Sequence, residues 1–146
     1  MIIRKGPAEI ERIARAGDLV AATIAHVGER IEPGITTGEL DRIAGEFIAE
    51  RGGTSASKGY KGYPAAICIS PNAMVVHGIP GSYEVGDGDL ITIDVGVTLD
   101  SYIADSAYTF GVGEGEDALY IHGFCFRIII PVDEAFEFKA RPHRKI

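Results

Sequence analysis

Only two cysteines occur in 146 residues, Cys68 and Cys125, and they lie far apart. That excludes a secreted fold built on a dense disulfide framework. No apolar run reaches the length needed to cross a bilayer, and the opening MIIRKGPAEIERI has no apolar signal core. Basic side chains are also scarce. Lys and Arg number 14 against 21 Asp and Glu, for a formal net charge of −7. This balance argues against nucleic acid and against an anionic membrane as the main partner. No internal repeat is visible. The remaining default is one soluble domain in the cytoplasm. The apolar fraction of 46% is enough to give it a core.

Two helices are expected first. Pro7 suits a first helical position. Behind it Ile10, Ile13, Val20, Ile24 and Val27 form one stripe, which predicts an amphipathic helix over 7–29. Glu32-Pro33-Gly34 breaks it. Thr36 followed by Glu39 has the form of a capping box. Leu40, Ile43, Ala44, Phe47 and Ile48 make a second stripe, ended by Gly52-Gly53. A loop rich in Gly and Ser follows over 52–62. Short strands are expected at 65–70 and 74–77, then turns at Gly78-Ile79-Pro80-Gly81 and Gly86-Asp87-Gly88-Asp89. Helices followed by antiparallel strands indicate an α+β fold.

The segment 89–110, DLITIDVGVTLDSYIADSAYTF, reads as two strands joined by a tight turn. Asp94 and Asp105 sit eleven residues apart in it. A symmetric hairpin centred between Leu99 and Asp100 makes them directly opposed, about 4.5–5.5 Å apart at Cβ. Both repel when ionised. Thr92, Gly96, Ile103 and Ala107 share their face, and no Lys or Arg of the hairpin is placed to neutralise them. A shared proton, a nearby cation or a metal ion each answers that repulsion, and the missing counter-charge favours metal. The alternative is an edge strand that carries acids for solubility. Without further context His77 at a strand end reads as a structural histidine. Tyr60 and Tyr63 read as loop anchors, and Cys68 as a small core residue.

Taken together, GYKGYPAAICISPNAMVVHGIP and GDLITIDVGVTLDSYIADSAYTFGVG resemble the N-terminal half of type I methionine aminopeptidases. Less specifically, IRKGPAEIERIARAGDLVA and PGITTGELD resemble that family's opening helices. The likeness covers residues of about 2–117 and implies half of a pita-bread fold. It implies removal of the initiator methionine from nascent chains by a centre of two divalent ions (Co, Mn, Fe or Zn). Asp94 then matches the first aspartate ligand, and Asp105 the second, which bridges the metals. His77 matches a histidine that contacts substrate near the scissile bond. Tyr60, Tyr63 and Cys68 match residues lining the methionine pocket. The implied partner is a peptide or nascent-chain N-terminus that begins with Met.

The likeness fades near residue 117. Residues 1–117 carry 9 basic and 18 acidic side chains, whereas 118–146 carry 5 and 3. The expected division is therefore a catalytic-half domain over 1–117 and a tail of unknown role over 118–146. The change of likeness and of charge has the form of a frame change or an early stop. The family's other ligands, one His and two Glu, come from its C-terminal half. His122, Glu134, Glu137 and His143 match none of their motifs, so no ligand role is assigned to them. The expected metal site is thus incomplete, and the expected activity weak or absent. Two alternatives follow: a non-catalytic module that binds peptide N-termini, or one that pairs with itself or with a partner chain over the exposed half-core.

Overall fold

The computed structural model describes residues 4–113. Helix α1 (Pro7–Gly28) begins at Pro7, as expected, and the Glu9 carboxylate accepts the Gly6 N–H at 2.9 Å. Helix α2 (Thr37–Glu50) is capped by Thr36, whose hydroxyl accepts the Glu39 N–H at 3.1 Å. Two more N–H groups of its first turn reach outside the helix. Thr37 donates to the Tyr83 carbonyl at 2.9 Å and Gly38 to the Gly81 carbonyl at 2.8 Å. The approach at Gly38 is close because it has no side chain: a Cβ there would lie 3.0 Å from the Gly81 oxygen.

One antiparallel sheet carries the rest. Its centre is β3 (Leu90–Leu99). On one side β3 pairs along its whole length with β4 (Tyr102–Gly111). On the other it pairs with two short strands, β1 (Thr54–Ser55) and β2 (Cys68–Pro71). Side chains of β3 alternate strictly between faces. Ile91, Ile93, Val95 and Val97 are fully buried in the core with Leu19, Val20, Leu40 and Ile48 of the helices. The opposite face carries Thr92, Asp94, Gly96 and Thr98. Across from them on β4 stand Thr109, Ala107, Asp105 and Ile103. This is the expected α+β arrangement, with one face of the sheet under helices and the other face open to the site.

Two expectations need correction. The hairpin centres between Asp100 and Ser101, not between Leu99 and Asp100. Both turn residues have positive φ, 49° and 67°. A two-residue turn of this hand matches the right-handed twist of the strands. The register therefore pairs Asp94 with Ala107 and Asp105 with Gly96. The aspartates are diagonal neighbours on one face, not opposed. The second correction concerns 65–77. Only Cys68–Pro71 forms a strand, and 74–77 is loop. Asn72 and His77 both take left-handed conformations, at φ 52° and 58°, which breaks the extended backbone a strand needs. Asn72 anchors the loop by bonding both backbone groups of Leu90. The tail over 118–146, with its apolar run at 124–132, lies outside the described residues.

Three outcomes follow. Ser101→Gly removes a left-handed side-chain penalty and is expected to raise stability by about 1 kcal/mol in urea unfolding. On opposite faces of the sheet, Ile93→Ala should cost roughly 2–5 kcal/mol. Ile103→Ala, at an exposed position, should change stability by less than about 0.5 kcal/mol in the same assay.

Candidate metal centre

Asp94 projects from the middle of β3 and is half-buried, while Asp105 projects from β4 at the open rim. Diagonal positions lie further apart than opposed ones. The two carboxyls nonetheless lie close enough to act on each other's ionisation. Small partners make this reach feasible. Opposite Asp105 is Gly96, where an added Cβ would stand 3.3 Å from Asp105 Oδ1. Opposite Asp94 is Ala107. The next strand brings Cys68 directly across from Asp94 on its other side.

The electrostatics follow from this crowding. Burial, then the Asp105 charge, pushes the Asp94 carboxyl up to about 6. Burial also raises Asp105, and Asp94 acts against that rise. Two carboxyls coupled in this way titrate as a unit, and the rise falls mainly on Asp94. The His77 charge acts weakly in the opposite direction on Asp94. His77 itself is exposed. Cys68 is buried, and its thiol is raised by burial and by the two aspartates.

The other residues singled out from the sequence divide. Tyr63 lies close enough to Cys68 for the thiol to act on it, and its hydroxyl is raised by burial and then by Cys68. The same hydroxyl donates to the Gly78 carbonyl at 2.8 Å, with the Ile67 carbonyl at 3.2 Å. Tyr60 stands apart, 66% exposed, with the Lys61 ammonium 5.4 Å from its ring centre. Met74, Val75, Val76 and Ile79 flank His77 and are also exposed.

Two supporting residues were not singled out beforehand. Asp41 of α2 accepts the Ala66 and Ile67 N–H groups at 2.8 and 2.9 Å, which fixes the approach to Cys68. Its partners are backbone amides distant in sequence, so no local pattern marks it. Ser70 is 2% exposed and accepts the Gly78 N–H at 3.1 Å. A hydroxyl ending the otherwise apolar run AICIS was a legible clue. A cavity of about 390 Å³ lies between α2 and β1, lined by Asp41, Arg42 and Lys58 among others, away from the aspartates.

These features fit a hard divalent cation: two carboxylate oxygens on one face, repelling each other and raised towards protonation. The donor set is small. Among the described residues, no group of three or more His, Cys, Asp or Glu side chains could hold a metal ion. Nor is any described helix long and apolar enough to cross a membrane.

Comparison with known proteins decides the family. The model of metallopeptidase family M24 matches residues 11–130. The chain belongs to that family. It is 51% identical over 113 residues to the methionine aminopeptidase of Clostridium perfringens, covering 77% of this chain and 45% of that protein. To methionine aminopeptidase 1 of Bacillus subtilis it is 47% identical over 117 residues, covering 80% and 47%. Among solved structures it superposes on the methionine aminopeptidase of Rickettsia prowazekii with a TM-score of 0.77 at 33% identity, covering 78% of this chain and 46% of that one. For the Thermotoga maritima enzyme the values are 0.76 and 37%, covering 80% and 47%. An X-Pro aminopeptidase of Thermotoga maritima shares the fold at 23% identity, with a TM-score of 0.64 over 77% of this chain and 30% of that one. The fold is therefore the pita-bread α+β arrangement of M24. The chain spans less than half the length of these relatives.

The raised Asp94 sets a pH dependence. In the unfolded chain its value is about 3.9, and in the fold about 6. Between these values the native state holds a proton that the unfolded state has lost. Its contribution to stability is fully present below about 4 and is lost as the pH rises past about 6. In metal-free buffer, the stability difference between Asp94→Asn and the unmodified chain should therefore widen in favour of the variant from pH 4 to 7. A difference that is flat with pH would contradict the assignment.

Proposed function

We propose that the chain carries the aspartate side of a methionine aminopeptidase centre, acting on N-terminal methionine of nascent peptides in the cytoplasm. The observation that carries this reading is the Asp94–Asp105 pair on the open sheet face, with Cys68 directly across from Asp94. Asp94 and Asp105 would hold divalent ions of the Co, Mn, Fe or Zn class. When bound, such a pair of ions supplies an activated hydroxide and polarises the scissile carbonyl. His77, at the rim, would donate a hydrogen bond to the substrate amide. Cys68, Tyr63 and, from the loop, Tyr60 would face the methionine thioether, which suits a soft and aromatic surface.

Two described donors leave most of an ion's coordination to water or to donors elsewhere. Weak turnover or none is the expected behaviour of the 146-residue chain in isolation. A second reading is supported by the small donor set and by the exposed Met74–Val76 loop. In it the chain is a non-catalytic module that binds peptide N-termini, or pairs with itself or another chain over the open face.

Calorimetric titration with Mn²⁺ tests the site. The expected result is weak binding, with a dissociation constant of roughly 10⁻⁴ M or larger, abolished by Asp94→Asn or Asp105→Asn. Absence of any binding would remove the metal assignment. Tight uptake of two ions, with rapid release of methionine from a Met-Ala-Ser peptide, would instead show a complete centre and overturn the expectation of weak activity. Sedimentation with and without that peptide separates the module reading, which a peptide-blind monomer would contradict.

A further inference from the structure

His77 occupies a left-handed conformation, φ 58°, that costs free energy for any residue with a Cβ. Such strain persists only where the surroundings over-determine it. The His77 side chain is exposed, as are Met74, Val75 and Val76 before it, so packing of this loop does not supply the constraint. The constraint lies one residue later, at Gly78, which is buried.

Both backbone groups of Gly78 are engaged from the sheet side. Its N–H donates to the Ser70 hydroxyl at 3.1 Å. Its carbonyl accepts the Tyr63 hydroxyl at 2.8 Å and the Ile69 N–H at 3.0 Å. The Gly78 N–H shares a peptide plane with the His77 carbonyl, so the Ser70 bond sets the direction in which the chain leaves His77. The fit admits no side chain: a Cβ on Gly78 would lie 2.0 Å from the Ile69 carbonyl oxygen.

We propose that Ser70 and Tyr63 are positioning residues that grip Gly78 from both of its backbone groups and so hold His77 in its left-handed conformation. Tyr63 thereby has a duty separate from contact with a methionine side chain, and Ser70 is buried for a purpose other than packing. The relevance of the grip to catalysis rests on the proposed function. Its existence does not, because it can be read without metal or turnover.

Nuclear magnetic resonance on the whole chain tests it. A positive φ brings a residue's own N–H and Hα close together, so His77 should show a strong intraresidue Overhauser effect between them. Ser70→Ala and Tyr63→Phe should each weaken that effect and speed amide exchange at Gly78 about tenfold. Tyr63→Phe keeps the ring and so guards against simple misfolding. Val20→Ala, in the buried stripe of α1 and away from β2, serves as the control, since it lowers stability without touching the grip. If the His77 signal persists in both grip variants, or falls equally in Val20→Ala, the proposal is overturned. A failed Mn²⁺ titration with these effects intact would overturn the proposed function and leave the grip standing.

Discussion

Strict alternation along β3 is the constraint on which the rest of the structure depends. Every second side chain from Ile91 to Val97 is fully buried under α1 and α2. That burial locks the strand's rotation, because a slip of one residue would place four β-branched side chains on the open face and Asp94 in the core. The cost of burying an unpaired carboxylate forbids this alternative. Hydrophobic burial on one face thus fixes polar chemistry on the other. Asp94, Gly96 and, across the hairpin, Asp105 and Ala107 are held in place by residues they do not touch.

The open face concentrates groups that are unfavourable together. Two carboxyls stand as diagonal neighbours with the first raised to about 6, a buried thiol lies across from it, and the histidine on the following loop is strained. Each costs stability. Local conflict of this kind, within a fold whose helices, caps and turns otherwise agree with their sequence, is the mark of a functional site. The side without conflict is the scaffold. Thr36 caps α2, Asp41 clamps the backbone before Cys68, and Asn72 and Asp89 tie the base of β3. Asp89 alone gathers the Tyr83 hydroxyl, the Asn72 amide and the Gly86 N–H. The site therefore rests on rigid strands, with its one exposed apolar loop, around Val75, held at both ends.

The M24 membership and the site geometry bear on different questions. Membership supplies the fold and the expectation of divalent metal. Geometry describes the aspartates themselves: they are diagonal neighbours, raised towards protonation, and stand opposite an alanine and a glycine that keep the space between them clear. His77 differs from both aspartates in standing on a loop, exposed and with a strained backbone.

What the sequence by itself determined was periodic and local. Both helices follow from their stripes and from Pro7 and Thr36. The shared face of Asp94 and Asp105 follows from parity, since residues an odd number apart across a two-residue turn point the same way. The motifs around His77 and the aspartates pointed to the family. Tertiary structure decided what parity leaves free. The hairpin register moved by two residues because Asp100 and Ser101 both turn left-handed, which converted an opposed pair into a diagonal one. The expected strand at 74–77 became a loop because Asn72 is bound to Leu90 and Gly78 to Ser70 and Tyr63. Those partners lie from 8 to 18 residues away along the chain. A backbone conformation imposed by hydrogen bonds over such distances leaves no periodic trace in the sequence around it.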